Sequence, residues 1–546
     1  MTPPPRLAIP MADLEALLER AKTEPLSAAD YATLKAALAT LGYLTELLED
    51  RTTTLRRLRH LLFGARTETT RTVCPPTGET AAASGTDPAV PEAAAPASAA
   101  SRPGHGRNGA RLYGGARQVA VPHPTLQAGG RCPECQKGKV YPQREPAFLV
   151  RVVGQAPLGA TVYALERFRC NLCGEVFPAE PPAGVGPAKY DASAGSMVAL
   201  LKYGSGVPFY RLAQLQGSLG IPVPAATQWE IVAEVAAALQ PAYAELIRQA
   251  AQGEVLHNDD TRATILALAR PPTAGEPSAE APARTGTFTS GIVATRDGRE
   301  IACFFTGRQH AGENLADVLR QRAAALGPPI QMCDALARNA PASFQVILAN
   351  CLAHARRQFV EIAPAFPDEC RIVLETLAQV YQHDATAKAQ QLAPAARLAV
   401  HQERSGPLMA ELERWLTAQV AERHVEPNSG LGKAIAYVRT HWEPLTRFLH
   451  VAGAPLDNNI AERALKKAIL HRKAALFFQT ERGAHVGDLF MSLIYTCQRT
   501  GADPFHYLTT LQTHAAALAA TPADWLPWTY RDTLARSEAA PGSPNP

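Results

Sequence analysis

Between residues 254 and 355 the chain sets short β-rich runs and turns in an order that few folds accept. Glu254 to Asp259 is an apolar run that closes on two neighbouring acids, Asp259 and Asp260. Thr287 to Thr295 and Glu300 to Gly307 are β-rich and meet across Asp297 and Gly298, a dipeptide that favours a two-residue hairpin turn. A helix is expected from about Gly312 to Ala325, followed by the short strand IQMC closing at Asp334, a second helix, and the strand-like ILANCLAH. The order strand, hairpin, helix, strand, helix, strand predicts a mixed sheet whose neighbouring strands end side by side. Asp259 and Asp334 stand at those ends.

A third acid follows a mostly helical stretch, in the segment Leu456 to Lys473, LDNNIAERALKKAILHRK. With Asn459 as cap and a helix from Ile460, residues Ala461, Ala464, Leu465, Ala468 and Ile469 form one apolar stripe. The opposite face carries Glu462, Arg463, Lys466 and Lys467, and His471, Arg472 and Lys473 follow. The same spacing also fits an ordinary capping box from Asn459 to Glu462 and an i,i+4 ion pair. The two strand-end acids upstream are what give Glu462 a chemical meaning. Three carboxylates, Asp259, Asp334 and Glu462, form the hard oxygen set that Mg2+ or Mn2+ prefers, and two such ions serve phosphoryl transfer. His257 and His354 are either phosphate contacts or structural histidines. The pattern describes a ribonuclease H-like catalytic core in two parts, 251–355 and 451–515, interrupted by a helical insertion, 356–450.

At 546 residues the chain is too long for one core, so a multidomain α/β protein is expected. A net charge of +4 singles out no partner; the clusters Arg56 to Arg66 and Arg463 to Lys473 are more informative. No run of 18 apolar residues occurs and no signal pattern opens the chain, which predicts a cytoplasmic protein without membrane contact. Residues 1–71 form an N-terminal helical segment in which Leu34, Leu41, Leu48, Leu55 and Leu62 recur at sevens. That seam fits either a coiled-coil dimer or packing on the chain's own core. Residues 72–115 are rich in Ala, Pro, Gly, Ser and Thr and have the composition of a disordered linker.

Within 116–185, Cys132 and Cys135 form one CxxC pair and Cys170 and Cys173 a second. Four thiolates in two knuckles suit a closed structural Zn2+ site in a zinc ribbon, with a redox pair as the alternative. Residues 186–250 are helical, and a helix ending near Leu219, a turn at Gly220 and a second helix from about Ala225 fit a helix-turn-helix or an ordinary hairpin. The C-terminal tail, 516–546, is polar and Pro-rich beyond Trp528, and disorder is expected there.

These motifs together resemble bacterial transposases of the insertion-sequence sixty-six family, the TnpC-like proteins of DDE type. The resemblance covers nearly the whole chain: LLFGARTE, the HGR segment, the cysteine pairs, KYGSGVPFYR, LHNDDT, AHARRQF, LDNNIAERAL with the later GADPFHYL, and WLPW. It implies that Asp259, Asp334 and Glu462 are the catalytic acids, with Asn458 and Arg463 in their support. It further implies DNA contacts by Arg463, Lys466, Lys467, Arg472, Lys473, Asn458, Arg356 and Arg357. The expected partners are the element's terminal inverted repeats and target DNA, other copies of the chain on that DNA, and small companion proteins of the same element. A regulator without catalysis, and a nuclease without strand transfer, are the rival readings. The chain departs from the family in having Asp260 where a Glu is usual, Ala335, Leu336 and Ala337 after the second acid, and Leu352 at a usual Trp.

Overall fold

The computed structural model describes residues 27, 30, 33, 125–141, 155–169, 176–186, 188–269 and 286–539. The Leu34 to Leu62 seam, the 72–115 segment, Cys170 and Cys173 lie outside the described residues. The chain divides into two compact units, one containing Leu352–Leu456 and the other containing Thr80–Cys351 with Asp457–Pro546.

In the second unit a two-stranded ladder, β1 (Arg167–Arg169) and β2 (Val176–Pro178), precedes three helices, α1 (Ala192–Ala199), α2 (Phe209–Ser218) and α3 (Ala225–Ala251). The main sheet follows: β3 (Val255–Ala263), β4 (Thr287–Arg296) and β5 (Arg299–Gly307), helix α4 (Ala311–Leu319), then β6 (Ile330–Cys333) and β7 (Ile347–Asn350). Its order is β5-β4-β3-β6-β7. The β3–β4 and β4–β5 pairs are antiparallel, and the β3–β6 and β6–β7 pairs are parallel. This is a mixed α/β architecture.

The hairpin turn forms because Asp297 (φ +49°) and Gly298 (φ +74°) both take left-handed backbone, the twist a two-residue connection needs. Between β6 and β7 the chain makes only one 3-10 turn, Ala337–Asn339, where a second helix was expected. Pro341 lacks a backbone N–H and disfavours helical backbone at Ala340 before it, which stops the turn there.

Helices α10 (Asn459–Ala475), α11 (Glu481–Thr500), α12 (Pro504–Thr513) and α13 (Tyr530–Ala539) complete this unit, and the helices between α4 and α10 in sequence belong to the other. β5 is a sheet edge, and α11 covers its outward N–H groups. Thr496, Ser492 and Asp488, one helical turn apart, accept from Ala302, Phe304 and Thr306 at 3.1, 2.9 and 2.7 Å. An edge that would otherwise recruit another strand is closed by one helix face.

One hydrophobic core runs from Val232, Leu239 and Leu246 of α3 to Ile292 and Phe304 of the sheet and Leu489 and Leu493 of α11. Near residue 250, therefore, no boundary separates the helical segment from the sheet, and α3 spends its apolar face on that core. The polar C-terminal stretch is also folded as far as Ala539: Trp525 and Tyr530 are buried, and Trp525 O accepts from Tyr507 Oη at 2.9 Å. Two aromatic anchors outweigh the polar composition that predicted disorder.

The other unit is helical, with α5 (Leu352–Ile362), α6 (Pro367–Ala389), α7 (Pro394–Val400), α8 (Gly406–Ala421) and α9 (Gly430–Thr440) as its main helices. Asp384, 3% exposed, joins α6 to α7 through Arg397 at 2.6 Å and to His401 at 3.2 Å. Burial opposes its charge, but hydrogen bonds from His401 and Lys388 and the Arg397 charge hold the carboxyl well below the usual range. Among the described residues no helix is long and apolar enough to cross a membrane.

Candidate active site

Side chains alternate along a strand, so Asp259 and Asp260 point to opposite faces of the sheet. Asp259 lies opposite Gly291 on β4, and Asp260 opposite Ser290. A Cβ at Gly291 would come within 3.0 Å of Leu465, so glycine there lets α10 lie close on the face that Asp259 shares. On the other face Asn314 of α4 donates to Ser290 Oγ at 2.9 Å. Asp260 sits there with His310 Nδ1 at 2.9 Å and Arg338 at 3.4 Å, and its side chain is 3% exposed. The sheet's own periodicity separates the two neighbouring acids.

Asp334 reaches Asp259 through the parallel pairing of β3 with β6. His257 stands opposite Met332, and the two acids each follow two residues later. The Asp334 carboxylate accepts from Leu336 N at 3.2 Å and from Asn339 Nδ2, while Asn350 Nδ2 donates to Asp334 O at 3.3 Å. Beneath lies a layer of buried amides. Gln331 Nε2 donates to Asn258 Oδ1 at 2.8 Å and to Asn339 O at 2.6 Å, and Asn258 Nδ2 donates to Asn339 O at 2.8 Å. Gly312 admits this arrangement, because a Cβ there would overlap the carbonyls of Arg338 and Ala340.

Glu462 enters from α10. The helix starts at Asn459 with Asn458 as the flanking residue, and no side-chain bond caps it, so the expected Asn459 cap does not form. Asn458 is fully buried instead: its Nδ2 donates to Asn258 O at 3.0 Å, and its Oδ1 pairs with His257 Nδ1 at 3.1 Å. Its backbone carbonyl accepts from Glu462 N at 3.2 Å. Asn458 thus pins the first turn of α10 to the residue before Asp259, one turn below Glu462. Having spent its amide this way, Asn458 supports the acids rather than facing outward toward DNA.

Burial, and then the charges of Asp334, Asp260 and Glu462, push the Asp259 carboxyl up to about 7, against a lowering bond from Asp260 N. The neighbouring charges that act on Asp259 are negative, so they oppose its ionisation as burial does. Among the described residues no three His, Cys, Asp or Glu side chains stand close enough together to hold a metal ion as they are. In donor chemistry the set is nonetheless three hard carboxylates, which fits a divalent cation.

The basic residues divide. Arg463, Lys466 and Lys473 are exposed on α10. Lys467 is half-buried and donates to Gly204 O at 3.1 Å, and Arg472 donates to Thr261 Oγ1 at 3.2 Å and to Arg262 O. His471 is no surface cation. It is stacked between Tyr203 and Phe478, and burial, aided by the Lys202 charge, lowers its pKa to about 3. Arg356, half-buried, and Arg357, exposed, lie on α5 of the helical unit. His257 is buried against Asn458, which makes it structural. In the cysteine segment, Cys132 N donates to Gly138 O at 2.8 Å and Gly138 N to Cys135 Sγ at 3.4 Å. Bonds from the Gly138 and Lys137 backbone lower the Cys135 pKa, as a thiolate ligand requires.

A family model, Transposase IS66 family, matches residues 188–486, more than half of the chain and a span that includes the positions of Asp259, Asp334 and Glu462. The chain belongs to the Transposase IS66 family. Three uncharacterized proteins of Sinorhizobium fredii are similar to it. y4jD is 28% identical over 359 residues, covering 63% of this chain and 66% of its own length. y4hP is 26% identical over 397 residues, 67% of each chain, and y4qI is 28% identical over 355 residues, 61% of each. The chain therefore spans about two thirds of the length of these relatives. No solved structure matches it. Within the matched IS66 segment, Asn258, Gln331 and Asn339 are the support that sequence reasoning missed; the available signal was an amide inside each apolar strand run, VLHND and IQMCD.

Proposed function

We propose that the chain is a DNA transposase that binds the terminal inverted repeats of its own element, cleaves the phosphodiester bond and joins the freed 3′ end to target DNA. The observation that carries this reading is the placement of the three acids inside the matched family segment: the β3–β6 register brings Asp259 and Asp334 to equivalent positions on neighbouring strands, and α10, which bears Glu462, packs through Leu465 on the face that Asp259 shares. The sheet order β5-β4-β3-β6-β7, with its antiparallel hairpin and parallel extension, supports a ribonuclease H-like core. Asp259, Asp334 and Glu462 would hold Mg2+ or Mn2+, which supplies an activated water or 3′ hydroxyl and charge for the leaving oxygen.

The chain's own groups then do the positioning. Asn339 and Leu336 N both hold the same oxygen of Asp334, which fixes the carboxylate's orientation. Asn458 sets the height of Glu462 above the strand. Arg463, Lys466 and Lys473 are placed to neutralise phosphates, each adding to the salt dependence of binding. Cys132, Cys135, Cys170 and Cys173 form the proposed zinc ribbon, and further copies of the chain and small companion proteins are its proposed partners.

The test is cleavage and joining of labelled element-end DNA in magnesium or manganese. Glu462→Gln is expected to keep end binding and to lose cleavage by roughly a thousandfold or more. Retained cleavage would remove Glu462 from the site. Binding by the unaltered protein without any cleavage would favour the regulator.

A further inference from the structure

Past α10 the chain does something costly for its sequence. The helix ends on Leu476, with φ +68° and ψ −45°, and Phe477 N donates to Ala475 O at 2.9 Å. That is a γ-turn of positive φ, a strained form that glycine adopts far more easily than leucine. Packing offers no evident return, since Leu476 is 66% exposed and Phe477 43% exposed. The next residue turns inward: Phe478 N donates to Thr264 O at 2.8 Å, and Leu266 N donates to Phe478 O at 2.9 Å. The two exposed side chains therefore stand on a short tip that is tied to the end of β3 and to the last turn of α10.

Two arginines flank that tip. Arg472 bonds the backbone of Arg262, and both flank Leu476 and Phe477. Arg262, Arg338 and Arg472 also line an open groove of about 710 Å³, together with Asp260 and Phe288, on the sheet face opposite Asp259. Glu462 and Arg472 are ten residues apart on one helix, about 15 Å, or roughly four base steps along a duplex strand. Arginines beside a rigid apolar tip match a ligand with both phosphates and flat apolar faces. Apolar side chains wedged against base steps are a general way of holding such a ligand.

We propose that Leu476 and Phe477 form a wedge that holds one unstacked DNA base a few steps from the cleaved bond, with the flanking phosphates on Arg262, Arg338 and Arg472. The strain at Leu476 keeps both side chains outward before DNA arrives. This rests on the transposase reading, and its test separates the two.

The full chain is titrated, without added magnesium, against a fluorescent duplex and the same duplex carrying a short unpaired bubble. The unaltered protein is expected to prefer the bubble by roughly 5- to 100-fold. Phe477→Ala should bring that ratio toward one, and Phe477→Trp should keep it. Leu476→Gly relieves the turn, so it should raise the Tm while lowering the ratio; a merely structural leucine would not couple those changes. Equal affinity of the unaltered protein for both DNAs, or an unchanged ratio in Phe477→Ala, overturns the wedge and leaves the transposase reading standing. A changed oligomeric state in Phe477→Ala with no bubble preference would mark the tip as a contact between copies and overturn the wedge as well. Binding to neither DNA overturns both.

Discussion

Asp259→Asn is expected to abolish metal-dependent cleavage and, in the same protein, to raise stability above pH 7. Asn keeps an oxygen for Asp260 N, the 2.8 Å bond that orients the side chain, but removes the charge. The folded carboxyl titrates near 7 against an unfolded value of 3.8, because burial and the Asp334, Asp260 and Glu462 charges oppose its ionisation. Between those values the folded state binds more protons than the unfolded one, so stability falls as pH rises. The loss is absent below about pH 4 and complete above about pH 7, on the order of 2 to 4 kcal/mol. The variant escapes that loss. Chemical denaturation without divalent metal should find it more stable than the parent at pH 8 and about equal at pH 4. Added magnesium should then stabilise the parent more than the variant. A variant no more stable at pH 8 would mean that burial and the neighbouring acids do not oppose the Asp259 charge as described.

Local rules made the sheet legible. Alternation and the Asp297–Gly298 turn locate the hairpin to within a residue of its observed ends, and apolar runs bounded by acids locate β3 and β6. What escaped was set at long range. The Asp488, Ser492 and Thr496 face looks solvent-exposed in sequence, yet it closes the edge of β5 because no other strand lies there. α3, the second helix of the expected helix-turn-helix, runs for 27 residues and shares the core of the sheet, a packing that local spacing does not show. His471, Arg472 and Lys473 read as one basic run, but helical rotation drives the histidine into an aromatic stack and leaves the lysine outside. For the candidate site, spacing placed Asp334 correctly just past its strand, but it put Asp259 at a strand end where β3 in fact runs on to Ala263, because the pairing with β4 continues through Thr287. It could not show that a single face holds Asp259 with α10 and sends Asp260 to His310.

The neighbouring pair Asn458 and Asn459 tests that distinction most directly, because sequence spacing assigns the structural role to the wrong one. Asn458→Leu removes an amide that satisfies Asn258 O and His257 Nδ1 inside the core. Both groups would then be buried without that partner, a cost of about 2 to 4 kcal/mol, since a leucine can neither donate nor accept. Asn459 is exposed and makes no side-chain cap, so Asn459→Ala should cost less than about 0.5 kcal/mol. Denaturant unfolding of the two variants should therefore differ by several-fold in the free energy lost. Activity should follow the same order: the Asn458 bond is what ties the turn bearing Glu462 to the strand bearing Asp259, and a shift of even 1 Å there misaligns the carboxylates. The larger loss appearing in Asn459→Ala would show that α10 is held by its cap rather than by the buried amide, and the positioning assigned to Asn458 would fall with it.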